Sequence, residues 1–276
     1  MTRSVRRTHR IPRTARVAGA GVAALLALSA CSSSSDTDSD SAGASSSSSG
    51  KLSGRVTVFA AASLKESFTT LGKTFEKQHP GTEVTFNFAG SDTLAASITG
   101  GAPADVFASA SPKTMATVTD AGATAGTPAT FVRNQLEIAT LPGNPEHISS
   151  LKDLTDSGLK VVLCDQTVPC GAAARKALEA GGLDLTPVSY EQDVKAALTK
   201  VELKEADAAV VYKTDVKAAG GKVTGVDFPE SAEAVNDYPI TLLKDAPNAD
   251  AARAFVELVK SAEGQRVLTG AGFRTP

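Results

Sequence analysis

The residues of this 276-residue chain that could do chemistry together are few and neutral. Ser63, Ser91, Cys170 with Gly171, and Val194 each sit where a strand-like run hands over to a helix-like one. The four handovers read Ala60-Ala61-Ala62-Ser63, Phe88-Ala89-Gly90-Ser91, Val168-Pro169-Cys170-Gly171 and Glu191-Gln192-Asp193-Val194. A helix N-terminus presents backbone N–H groups with no intrahelical acceptor and carries roughly half a positive charge. It can therefore bind an anion without any formal cation. Four such starts facing one cleft, joined by serine hydroxyls and the phenol of Tyr212 at a strand end, could hold a dianion by hydrogen bonds alone. Each residue also has a plainer reading: Ser63 or Ser91 as an N-cap, Gly171 as a tight turn, Tyr212 as a core residue. The set, in order along one chain, is what suggests a site.

Other chemistries fit less well. A surface-anchored hydrolase using Ser63 or Ser91 is the enzymatic alternative, but neither serine lies in Gly-x-Ser-x-Gly. His79 beside Pro80-Gly81 and His147 beside Pro145-Glu146 read as loop residues, and no metal-ligand spacing appears. Sugar sites usually stack on aromatic faces, and this chain has no Trp and three Tyr. A small, hydrophilic ligand suits it better.

The elements that must position these residues alternate. Arg55 to Ala60 reads as a strand, Leu64 to Gln78 as an amphipathic helix stopped by Pro80-Gly81, and Glu83 to Phe88 as a second strand of period two. A short helix over Asp92–Thr99, a short strand over Asp105–Ala108 and a helix over Pro112–Ala121 follow. The pattern restarts at Phe131, with strands at Leu136–Thr140, Lys160–Leu163 and Ala208–Tyr212 and helices at Ala172–Ala180 and Val194–Val201. A last strand, Tyr238–Leu243, precedes helices at Ala249–Lys260 and around Gln265. This alternation places the chain in the α/β class and predicts parallel sheets covered on both faces.

The N-terminal 50 residues read differently. Residues 1–30 carry six arginines and no acid, then an apolar run from Val17 to Leu28, and end in Leu28-Ser29-Ala30-Cys31. That is the pattern of a secretory signal peptide, its apolar run short of the ~20 residues a membrane span needs. Leu-Ser-Ala-Cys also fits the lipobox of bacterial lipoproteins, which predicts lipidation of Cys31. An ordinary signal peptide with an incidental cysteine is the alternative. Residues 31–53 are Ser-rich and read as a flexible tether. Removing six of the 28 basic residues with the signal leaves 22 against 30 acidic, a net of −8, which disfavours nucleic acid as a partner. The same sign looks unfavourable for an anion. The local field of the helix starts is what matters there, since exposed charges beyond about 8–10 Å are screened. Cys164 and Cys170 form an even pair in an oxidising compartment, compatible with a disulfide; metal ligation is the rival, with no histidine near them in sequence.

The sequence resembles the periplasmic molybdate-binding proteins of molybdate ABC importers. The likeness rests on Val58-Phe59-Ala60-Ala61-Ala62-Ser63-Leu64, on Phe88-Ala89-Gly90-Ser91-Asp92-Thr93-Leu94 and on Gly101 to Ala110. Weaker matches lie at Val168 to Gly171, Asp193-Val194, Val210-Val211-Tyr212 and Tyr238-Pro239-Ile240. The resemblance implies a type II periplasmic-binding-protein fold, with lobe 1 at 54–133 and 236–276 and lobe 2 at 134–235. Two hinge crossovers would fall near Phe131–Asn134 and Glu233–Asp237. It implies a site of Ser63 and Ser91 through hydroxyl and N–H, Cys170 and Val194 through N–H, and the Tyr212 hydroxyl. The metal would be bound only as molybdate through its oxygens, with no cofactor. Tungstate is the expected second ligand and sulfate the alternative oxyanion; phosphate keeps a proton and rewards an acceptor that this shell lacks. Partners implied are an ABC permease and its ATPase subunit, with the protein a monomer on the outer face of the cytoplasmic membrane. The sequence departs from the family at Cys170, where a small aliphatic residue is common, and at Asp92, where a hydroxyl is common.

Overall fold

Two five-stranded sheets, each wrapped by helices, organise the chain in the computed structural model, which describes residues 51–276. The expected signal peptide at 1–30, the expected lipidation site Cys31 and the expected tether as far as residue 50 lie outside the described residues.

The first sheet is built from β1 (Gly54–Ala61), β2 (Thr82–Ala89), β3 (Val106–Ala108) and β4 (Ala129–Asn134), connected by α1 (Lys65–Gln78), α2 (Ser91–Thr99) and α3 (Pro112–Asp120). The second contains β5 (Leu136–Thr140), β6 (Val161–Cys164), β7 (Ser189–Glu191), β8 (Ala208–Tyr212) and β9 (Thr224–Val226). Its helices are α4 (Pro169–Ala180), α5 (Val194–Glu202) and α6 (Lys213–Ala219). The chain then returns as β10 (Asn236–Leu242) to the first sheet and ends in α7 (Ala249–Lys260) and α8 (Ala262–Gly270). Strand order is β2-β1-β3-β10-β4 in one sheet and β7-β6-β8-β5-β9 in the other.

The expectation of two α/β lobes holds, but not that of purely parallel sheets. β10 runs antiparallel to both β3 and β4, and β5 runs antiparallel to β8 and β9. The cause is the crossover. β4 leaves the first sheet and β10 re-enters it, so the two travel in opposite senses and pair antiparallel, with Asn134 opposite Asn236. Only Gln135 separates β4 from β5. Short β7 and β9 and the helix α6 are further elements the periodicity did not disclose.

Each sheet has its own core. Val56 and Val58 of β1 are fully buried, and α1 lays Phe68, Leu71 and Phe75 on the first sheet at helical spacing. α7 answers with Phe255, whose ring meets Phe68 and Phe75 edge-on at centroid distances of 6.0 and 5.6 Å. Each such ring contributes about 1.5–3 kcal/mol by burial. The second core gathers Ile138, Val162, Ala177, Ala197 and Val210 from the strands and helices around β8. With both cores complete, the helix starts at the ends of β1, β2, β6 and β7 are held between the sheets.

Candidate functional site

All five residues singled out from the sequence line one cavity. Ser63 and Ser91 contribute from the first sheet's side, and Cys170, Val194 and Tyr212 from the second's, with Ala110 and Asp193 also on the wall. The cavity is small and is walled by strand ends and helix starts of both sheets.

Local structure explains why these groups remain free to act. Ser63 lies in a 3-10 turn, Ala62–Leu64, between β1 and α1, and its side chain caps no helix. Ser91 is the first residue of α2, whose N-cap is Gly90, so it too is not spent as a cap. α4 begins at Pro169, three residues earlier than the periodicity indicated, because proline suits the first helical position. Cys170 and Gly171 therefore lie inside its first turn, where the Cys170 N–H has no intrahelical acceptor. A Cβ at Gly171 would collide with the Asp165 carbonyl, so glycine lets this turn pack on the end of β6. A disulfide joins Cys164 to Cys170, Cα to Cα 5.8 Å, and so turns the Cys170 side chain away from ligand duty. Among the described residues no three His, Cys, Asp or Glu side chains gather as a metal site. At α5, Asp193 accepts from the N–H groups of Lys195 and Ala196 at 2.8 and 3.0 Å, which leaves the Val194 N–H uncapped.

The hydroxyls are fed from behind. The Ala110 N–H donates to Ser91 Oγ at 3.0 Å. Asn236 Nδ2 donates to the Tyr212 hydroxyl at 2.7 Å. Asn134 Nδ2 lies 3.3 Å from the Tyr238 hydroxyl, which lies 2.9 Å from Ser63 Oγ. Burial pushes the pKa of both phenols upward, so Tyr212 and Tyr238 keep their protons at neutral pH. Each hydroxyl that receives a hydrogen bond retains its own proton to donate. The hydroxyls on the wall are thus neutral donors, and the one carboxylate there, Asp193, accepts through Oδ1 from the α5 N–H groups of Lys195 and Ala196.

Charges stand just outside. Lys195 of α5 reaches Glu66 of α1 at 3.0 Å and Asp215 of α6 at 3.2 Å, linking an element of each sheet beside the cavity. Burial raises the fully buried Asp215 carboxyl to about 6, against the lowering effect of Lys195. Burial also works against the Lys195 charge, but Asp215 and Glu66 hold its pKa above the ordinary value. Asp92, the departure noted in the sequence, is not on the cavity wall; it faces a neighbouring cleft with Asp165, Tyr190 and Gln192.

The family model of the bacterial extracellular solute-binding proteins matches residues 56–274. The chain belongs to that family. A molybdate-binding protein, ModA, of Mycobacterium tuberculosis is 47% identical over 221 residues, covering 80% of this chain and 85% of the relative. The ModA protein of Haemophilus influenzae is 35% identical over 238 residues, covering 80% and 90%. The solved periplasmic molybdate-binding protein of Azotobacter vinelandii superposes with a TM-score of 0.71 at 21% identity, over 80% of this chain and 99% of that one, a likeness of fold. Family membership makes the chain a binding protein and sets the hydrolase reading aside. Sequence reasoning missed Asn134, Asn236 and Tyr238 as parts of the site. The asparagines' signal was their place at the two crossovers, and Tyr238 stood in a weakly matching family segment, Tyr238-Pro239-Ile240.

Proposed function

We propose that this chain is the receptor of an ABC importer, exported and held by a lipid on Cys31 at the outer face of the cytoplasmic membrane. It captures molybdate, with tungstate as a second ligand, and delivers it to a permease driven by a separate ATPase subunit. The observation that carries this reading is the small cavity that brings Ser63 and Ser91 of one sheet together with the starts of α4 and α5 and the Tyr212 hydroxyl of the other. A fully deprotonated dianion needs only donors, and hydrogen bonds to a charged group are the strong ones. The relatives named as molybdate-binding support the choice of anion.

Ser63 and Ser91 act from lobe 1, at 54–133 and 236–276, while Cys170, Val194 and Tyr212 act from lobe 2, at 134–235. An anion that touches both lobes only when they meet favours the closed state, which the permease then recognises. The protein works as a monomer and hydrolyses nothing. Sulfate satisfies the same donors and differs in size, which makes it the alternative ligand. Titration calorimetry of the full chain with molybdate, tungstate, sulfate and phosphate separates these readings. Tight binding of molybdate and tungstate is expected; binding of none of the four would overturn the function, and a preference for sulfate would reassign the ligand.

A further inference from the structure

Asn134 and Asn236 face each other across the antiparallel pair β4–β10, at the two points where the chain passes between the sheets. Both are buried, at 1% and 8% exposure. Their amides cannot be turned round. The Gln135 N–H donates to Asn134 Oδ1 at 3.0 Å, so Nδ2 must be the group facing Thr214 Oγ1 at 2.8 Å and the Tyr238 hydroxyl at 3.3 Å. For Asn236, the Pro169 carbonyl, an acceptor only, lies 3.4 Å from Nδ2, which fixes the same nitrogen on the Tyr212 hydroxyl at 2.7 Å.

These amides bias the protons beyond them. Tyr238 accepts from Asn134, which biases its own proton toward Ser63 Oγ, 2.9 Å away. Ser63 then has an acceptor position filled and its proton left for the cavity. Tyr212 accepts from Asn236, which leaves its own proton to the neighbouring Tyr238 hydroxyl or to the cavity. One hydroxyl in each lobe is thus set as a donor by one asparagine of the hinge pair. Without such a back-side donor a hydroxyl can rotate and present a lone pair instead.

We propose that Asn134 and Asn236 are specificity-determining positioning residues that fix the Ser63 and Tyr212 hydroxyls as donors, and so reject oxyanions that keep a proton. The inference rests on the proposed oxyanion function and deepens it. Molybdate and hydrogen phosphate make the decisive comparison, because both are tetrahedral dianions and only the second carries a proton that needs an acceptor. A site committed to donating leaves that proton unpaired in a buried cavity, which is costly.

The test replaces the donating amide by an accepting carboxylate. In Asn134→Asp the carboxylate takes the Tyr238 proton; Tyr238 then accepts from Ser63, and Ser63 turns a lone pair toward the anion. In Asn236→Asp the carboxylate takes the Tyr212 proton directly. Molybdate and hydrogen phosphate are titrated against the full chain by calorimetry at mildly alkaline pH, where the introduced carboxyl is ionised. Tyr238→Phe, which keeps the ring and removes the relay, serves if an aspartate variant fails to fold. Each variant is expected to lower the ratio of molybdate to phosphate affinity by about tenfold or more, the value of one hydrogen bond to a charged group. A purely structural role would weaken both anions alike and leave the ratio unchanged, and that result overturns the inference while sparing the function. A wild-type chain that binds neither anion overturns the function and the inference together.

Discussion

Gly90→Ala adds one methyl group at a position chosen for what faces it. Gly90 is the N-cap of α2 with φ −56° and ψ 136°, a backbone conformation alanine adopts freely; within lobe 1 the added Cβ would meet Asp92 Oδ1 at 2.7 Å, the end of a side chain that can rotate aside while the backbone stays in place. Its Cβ, however, would lie 2.5 Å from the backbone carbonyl oxygen of Gln192, on the other side of the cavity. To regain an ordinary contact of 3.4 Å, the Gln192 segment must retreat by about 0.9 Å. Val194 begins α5 two residues later and Cys170 stands on the same lobe, so their N–H groups retreat from an anion held by Ser63 and Ser91. A bond of about 2.9 Å stretched to about 3.8 Å is no longer a hydrogen bond. Two charge-assisted bonds at about 1.5–3 kcal/mol each amount to about 3–6 kcal/mol, or about 10²- to 10⁴-fold in affinity. Titration calorimetry with molybdate reads the loss, and thermal unfolding of the ligand-free chain should match wild type. Wild-type affinity in this variant would refute the claim that the lobes must meet at Gly90 and Gln192. So would a loss of affinity that merely tracks a fall in melting temperature.

Three further outcomes follow from the same geometry. Ser63→Ala removes one donor and should weaken molybdate by about tenfold or more by calorimetry; unchanged affinity would take Ser63 out of the site. Reducing the Cys164–Cys170 disulfide, which spans six residues, should cost about 2 kcal/mol of stability in denaturant titrations, by the loop-entropy account. An unfolding midpoint indifferent to reductant would contradict that. Asp215, raised by burial from 3.8 to about 6, favours the fold when protonated, so its stability contribution is complete below pH 3.8 and fades as pH rises to about 6. The change across that window is about 3 kcal/mol. Asp215→Asn should flatten melting temperature against pH there, and an unaltered slope would show that another group titrates.

Much of the fold could be read because its signals are local. Apolar alternation marked β1 and β2, and helical spacing with Pro-Gly breaks marked α1. Strand direction could not be read, since it depends on where the crossovers lie; β10 looks the same in sequence whether it pairs parallel or antiparallel. α6 went unnoticed because it follows Tyr212 without a break, and its start is steadied by a tertiary arrangement, the Tyr212 N–H donating to the buried Asp215 at 3.2 Å. The cavity-lining positions Ser63, Ser91 and Cys170 were legible because helix starts after strands carry their own small-residue signature. Asn134, Asn236 and Tyr238 were not, because an asparagine at a strand end usually means only a turn. Their importance depends on hydrogen bonds 24 and 104 residues apart in sequence.

The central claim is that neutral donors from two lobes meet around one tetrahedral dianion. Crystals of the molybdate complex, measured on both sides of the molybdenum absorption edge, test it most directly. The account predicts one anomalous peak inside the cavity, within hydrogen-bonded reach of Ser63, Ser91, Tyr212 and the Cys170 and Val194 N–H groups. A peak elsewhere on the protein, or none in the cavity at saturating molybdate, would contradict it.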